Sequence, residues 1–172
     1  MGLLHLYCGN GKGKTTAAVG LSVRCAGAGG RVVFAQFFKD GSSSELAVLE
    51  RLPEVRVLVC RERFGFYKRM TEETRARAKA AYTELLLSAV AAAREGAELL
   101  VLDEAVSALN HGMIPEEDLL AFLDHRPEGL EVVLTGREPP EALQQRADYI
   151  TEMVKRRHPF DRGVAARKGV EF

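Results

Sequence analysis

Residues 8–16 read Cys8-Gly9-Asn10-Gly11-Lys12-Gly13-Lys14-Thr15-Thr16. Before them, Leu3 to Cys8 is a short apolar run that reads as a buried strand. After them, Lys14 to about Ala28 reads as a helix, ended by Gly27, Gly29 and Gly30. A glycine-rich turn between a strand and a helix is the setting of a phosphate-binding loop. Alternating glycines let the backbone fold around an anion with its N–H groups inward, and the helix N-terminus adds its positive dipole end. Within this cradle of Gly9, Asn10, Gly11, Lys12, Gly13 and Thr16, Lys14 can set its ammonium against phosphate oxygens. The Thr15 hydroxyl can bind Mg²⁺. Against the strict pattern G-x-x-x-x-G-K-[ST], Cys8 stands in place of the first glycine.

A second signal lies far along the chain. Val101-Leu102-Asp103-Glu104 ends an apolar strand on two carboxylates. In an open parallel sheet, this pair and the glycine loop would both sit at the carboxyl ends of strands, where ligands bind. Asp103 can hold Mg²⁺ or its water shell. Glu104 can be a second metal group, the base that activates water in an ATPase, or simply a charge capping the next helix.

Outward from these motifs, apolar runs alternate with helical stretches. Strands are expected over Arg31–Phe37, Val55–Cys60, Glu98–Asp103, Leu130–Thr135 and Tyr149–Met153. Helices are expected over Glu45–Leu52, from a Thr71 cap to about Glu95, from Pro115 to about Asp124, and from Pro139-Pro140 to near Ala147. Arg61–Met70 reads as an irregular loop and the chain from Val154 as a basic, irregular tail. The alternation implies an α/β domain: a mostly parallel sheet built from right-handed βαβ units, with helices on both faces.

With 172 residues, the chain suits one domain spanning 1–172 with a full apolar core. Hydrophobic residues make up 47% and charged residues 28%, with 24 basic against 24 acidic side chains. That balance argues against a general nucleic-acid or membrane-surface binder. The three cysteines, Cys8, Cys25 and Cys60, lack CxxC spacing, so reduced thiols in a cytoplasmic protein are expected. No signal peptide, membrane span or lipid anchor is expected from the N-terminus or from any apolar run. His5 reads as structural, and His111 and His125 lack the spacing of metal ligands.

Several segments together resemble the P-loop ATP:corrinoid adenosyltransferases. They are the loop Gly9 to Ala18, Gln36-Phe37-Phe38-Lys39 with Ser44-Glu45, Val101 to Leu109, Leu134-Thr135-Gly136-Arg137, Thr151-Glu152-Met153, and the tail His158 to Phe172. The resemblance covers essentially the whole chain. It implies a P-loop NTPase-like, RecA-type domain that forms homodimers. It also implies transfer of the 5′-deoxyadenosyl group of ATP to the Co(I) of a reduced corrinoid (cobalamin or a precursor), with release of triphosphate. ATP would bind with Mg²⁺ or Mn²⁺, reversed in the loop so that C5′ faces the corrinoid, and an electron donor such as a reduced flavoprotein would supply Co(I).

By the same resemblance, Lys14 and Glu104 are catalytic. Thr15, Asp103 and Glu104 serve the metal, and Arg137 joins the nucleotide site. Phe66 falls on a phenylalanine that helps clear the lower face of cobalt, and Tyr67 substitutes for a tryptophan where this chain has Lys68. Read without the resemblance, Phe64, Phe66 and Tyr67 are ordinary packing residues. The competing functions are a P-loop ATPase or small-molecule kinase using Glu104 as base, and a corrinoid carrier without turnover.

Overall fold

The computed structural model describes residues 1–65 and 67–171. Strand β1 (Leu4–Cys8) alternates buried and half-buried side chains and runs straight into the glycine loop. It sits near one edge of a six-stranded sheet, between β5 (Glu131–Thr135) and β6 (Tyr149–Glu152). The full order is β3-β2-β4-β5-β1-β6, with every pairing parallel. β2 (Val32–Gln36) and β4 (Leu99–Asp103) lie inside the sheet and are buried at all five positions. Continuous apolar strands are what a parallel sheet covered on both faces requires. β3 (Val55–Val59) forms the far edge.

Two apolar clusters fill the two faces. One packs Ala18 and Ala26 of α1 (Lys14–Gly27) and Leu46 and Leu49 of α2 (Leu46–Leu49) against Phe34 and Val101. The other packs α3 (Glu72–Arg94), α4 (Ala105–Asn110) and α5 (Glu116–Asp124) against Val33, Leu100 and Leu102. Thr71 caps α3 by accepting a hydrogen bond from the Thr74 amide at 3.1 Å. His5 pairs with Glu131 on the neighbouring strand at 2.5 Å, a structural contact. Among the described residues, no helix is long and apolar enough to cross a membrane.

The elements fall where the apolar runs place them, with three differences. α2 is shorter than the expected 45–52: after Leu49 the chain passes into turn residues 50 and 51 ahead of Pro53. α6 (Glu141–Gln144) stops before Ala147. α4 has no counterpart among the expected helices: it follows β4 after a single residue and runs for six residues, burying Ala105, Val106, Ala108 and Leu109 with Ser107 and Asn110 on its polar side, too short a span for a helical period to show in the sequence. The tail contains one turn of 3₁₀ helix at Pro159–Arg162.

Beyond β6 the chain crosses the glycine loop. The Met153 carbonyl accepts from the Gly11 amide at 2.6 Å. A Cβ on Gly11 would stand 2.7 Å from that carbonyl oxygen, so only glycine admits the crossing strand.

Candidate active site

The carboxyl ends of β1, β2, β4 and β5 meet beside the glycine loop, as ligand sites in open α/β sheets do. Three non-glycine residues take left-handed backbone there: Phe38 (φ 55°) after β2, Glu104 (φ 60°) after β4 and Glu138 (φ 51°) after β5. Each such conformation costs on the order of 1 kcal/mol or more, and their gathering at one sheet edge marks a functional site.

Lys14 folds back over the loop and donates to the carbonyls of Gly9 and Gly11, both at 2.8 Å. Burial pushes its pKa below the ordinary lysine value, and the nearby Glu104 carboxylate partly opposes that shift. The ammonium is therefore held ready beside the loop amides and stabilised further by any anion that arrives.

Asp103, fully buried at the end of β4, is the hub. Its Oδ1 accepts from the Thr15 hydroxyl at 2.9 Å and the Thr135 hydroxyl at 2.7 Å. Its Oδ2 accepts from Gln36 Nε2 at 3.0 Å. Gln36 also donates to Glu45 at 3.2 Å, and Lys39 Nζ lies 3.6 Å from Asp103 and 3.7 Å from Glu45. Gln36 Oε1 is buried with no hydrogen-bond partner among the described residues. Thr135 also accepts from the Glu104 amide at 2.9 Å, so one hydroxyl ties the two carboxylate residues together. The Glu104 carboxylate accepts from the Ser107 hydroxyl at 2.6 Å.

The turn after β5 closes the site. Gly136 (φ 148°) passes so close to α4 that a Cβ would lie 2.8 Å from the Ser107 nitrogen. Asn110 Nδ2 donates to the carbonyls of Arg137 and Glu138 at 3.0 Å each, which fixes the turn. Arg137, Glu104 and residues 10–16 of the loop then line one polar cavity of about 300 Å³, roofed by His158, Ala166 and Glu171 from the tail. Arg167 holds Glu171 in place and keeps its carboxyl down to about 2.

The fold thus brings the expected Asn10, Gly11, Lys12, Gly13, Lys14, Thr15, Thr16, Glu104 and Arg137 around one space. Gly9 contributes its carbonyl to Lys14, and Asp103 lies beneath Thr15. Tyr67 is elsewhere: it packs on His111, with ring centroids 4.4 Å apart, and beneath the Arg75 guanidinium at 4.8 Å. Phe66 lies outside the described residues. Phe64 lines a separate aromatic cavity of about 400 Å³ with Phe38 and Tyr82, whose hydroxyl burial pushes up to about 12. Reading by sequence assigned no role to Gln36, Lys39, Glu45, Ser107, Thr135 or Glu171. Gln36 and Thr135 carried one unused signal: each is a polar residue ending a buried strand.

Among the described residues, no group of three or more His, Cys, Asp and Glu side chains converges as a metal site. The oxygen donors still suit a hard cation. Mg²⁺ takes one or two protein oxygens and completes its shell with substrate phosphates and water, and Thr15 and Glu104 can supply the former. The protein donors on Asp103 suit it to orienting Thr15.

The whole chain, residues 1–172, matches the family described as ATP:corrinoid adenosyltransferase BtuR/CobO/CobP. A corrinoid adenosyltransferase of Pseudomonas aeruginosa is 38% identical over 173 residues, covering 99% of this chain and 84% of the relative. The corrinoid adenosyltransferase CobA of Salmonella typhimurium is 30% identical, and a corrinoid adenosyltransferase of Escherichia coli is 29% identical, each over 99% of this chain and 86% of the relative. A match along every residue, on a fold whose glycine loop, Asp103 and Arg137 turn meet at one sheet edge, places the chain in the ATP:corrinoid adenosyltransferase family.

Proposed function

We propose that this site transfers the 5′-deoxyadenosyl group of ATP to the Co(I) of a reduced corrinoid and releases triphosphate, with the glycine loop as the seat of the triphosphate. The observation that carries this reading is a pair of unlike spaces at one sheet edge: a polar cavity on the loop and an aromatic cavity, linked by a second polar space that shares Thr15 with the first and Lys39 with the second. A nucleotide suits the first and a large, flat, largely apolar macrocycle the second.

The chemistry asks little general acid or base work of the protein. Co(I) is a strong nucleophile with no proton to remove. The protein has to hold C5′ in line with cobalt and accept the charge that develops on the leaving triphosphate. Backbone amides of residues 10–15 and the Lys14 ammonium serve the second task. Thr15 and Glu104 would hold Mg²⁺ or Mn²⁺, which would supply positive charge for the leaving phosphates, and Asp103 orients the Thr15 hydroxyl. Arg137 adds a cation to the same cavity. Glu104, hydrogen-bonded to Ser107, acts as a charge near the cation and not as a base.

The same reading takes the protein as cytoplasmic, which three free cysteines support. It takes the working form as a homodimer. A reduced flavoprotein supplies the electron. By the resemblance, Phe66 clears the lower face of cobalt, whereas Tyr67, packed on His111, is not among the residues lining the aromatic cavity. The test is incubation of the protein with ATP, Mg²⁺ and chemically reduced cobalamin in the dark. A light-sensitive Co–C product is expected, and its absence with ATP bound would refute the proposal.

A further inference from the structure

The Gln36-Phe37-Phe38-Lys39 segment has a task that phosphate binding does not explain. Beside the loop lies a polar space of about 380 Å³ lined by Lys12, Thr15, Thr16 and Glu45. The aromatic cavity of Phe38, Phe64 and Tyr82 opens next to it. Among the described residues, Lys39 alone lines both. Phe38, with φ 55°, divides them: its ring goes to Tyr82, 5.3 Å between centroids, while the next side chain turns towards Asp103 and Glu45.

We propose that Lys39 is a catalytic cation of the adenosyl transfer, its ammonium facing the oxygen that leaves C5′. The assignment rests on the transfer reading above. The loop cavity that seats the triphosphate shares Lys12, Thr15 and Thr16 with this polar space; if the C5′ end of ATP extends into it and the corrinoid fills the aromatic cavity, the bond that breaks lies at their common wall, where Lys39 stands. The ammonium is held there by ion pairing. It sits 3.6 Å from Asp103 and 3.7 Å from Glu45, distances of ion pairing and too long for hydrogen bonds, and its side chain is 30% exposed. Turning it a short way therefore breaks no hydrogen bond to either carboxylate.

The step balances without a proton. An electron pair on Co(I) forms the Co–C5′ bond, and cobalt becomes formally Co(III). The C5′–O bond breaks and its pair stays on the oxygen, which departs as part of triphosphate. That oxygen gains negative charge as the bond stretches, and a cation preorganised at that point stabilises the transition state more than bound ATP.

The test compares Lys39→Ala, Lys39→Gln and Lys39→Arg with wild type, using ATP, Mg²⁺ and chemically reduced cobalamin. ATP dissociation constants are measured separately by equilibrium dialysis. For Ala and Gln, kcat at saturating ATP should fall about 10²–10³-fold while the ATP dissociation constant stays within about threefold. The Arg variant should recover to within about tenfold of wild type. ATP binding reports a folded site, and Gln keeps a donor for Asp103 should Ala disturb it. Retention of kcat within about threefold in Ala or Gln, or a loss confined to ATP binding, would overturn the assignment alone. A wild type that binds ATP yet makes no Co–C product would overturn the transfer reading and this assignment with it.

Discussion

Replacing Thr135 with valine should destabilise the protein by an amount its two hydrogen bonds set. The Thr135 side chain is fully buried, donates to Asp103 at 2.7 Å and accepts from the Glu104 amide at 2.9 Å. Valine fills the same volume and removes the hydroxyl. The bond to an ionised carboxylate is worth about 1.5–3 kcal/mol, and an amide left without its acceptor costs about 1–3 kcal/mol. Asp103 retains Thr15 and Gln36, so the lower part of the combined range applies, about 3 kcal/mol. For a chain of this length, that corresponds to a fall in Tm of about 6–12 °C. Urea denaturation should show a lower midpoint with an unchanged slope, which assigns the loss to stability and not to a changed unfolded state. Thr135→Ser, which keeps the hydroxyl, should lose much less. A valine variant as stable as wild type, or a serine variant equally damaged, would refute the view that this hydroxyl holds the two carboxylate residues together.

Lys14→Ala should weaken ATP binding and slow turnover together, because its ammonium meets phosphate in both ground and transition states; near-normal kinetics at low ATP would contradict this. Since burial lowers the Lys14 pKa in the free protein, the charged form is lost as pH rises through a value below the ordinary lysine pKa. ATP affinity should fall over that alkaline range in wild type, and this dependence should be absent in Lys14→Ala. Glu104→Gln keeps its shape and loses one negative charge, so the Mg²⁺ or Mn²⁺ concentration for half-maximal rate should rise, with partial recovery at high metal. If Glu104→Gln instead abolishes a phosphate release that wild type performs at saturating metal, Glu104 is a base and the ATPase reading stands. The Glu171 carboxyl, held down to about 2 by Arg167, should keep the tail in place at any pH above the ordinary carboxylate range and release it only as pH falls towards that value, a change amide exchange of residues 167–171 would follow.

The phosphate loop was legible because all it needs is local: a strand, three glycines, Lys14 and a helix within a few residues of one another. The strands were legible for a similar reason, since β2 and β4 are buried on both faces and must be apolar throughout. α4 was not, because six residues, four of them buried, are too few for a helical period to show. The sheet order was not legible either. Nothing in the alternation of strands and helices says that β4 lies between β2 and β5, yet that order gathers Gln36, Asp103 and Thr135 into one hydrogen-bonded set. Lys39 and Glu171 were missed as site residues because each reaches the site across a long sequence separation, Lys39 by the left-handed turn at Phe38 and Glu171 by the return of the tail over the loop. Tyr67 belongs to the reading through the resemblance, and its packing on His111 is what the sequence alone would predict of an aromatic residue.

ATP held on the loop gives up its adenosyl group, and not a phosphoryl group, to the acceptor. The phosphorus-containing product decides it. With ATP, Mg²⁺ and chemically reduced cobalamin, phosphorus NMR of the wild-type reaction should show inorganic triphosphate, one for each Co–C bond formed and none when the corrinoid is left out. Release of ADP and phosphate at a rate indifferent to the corrinoid would show phosphoryl transfer instead.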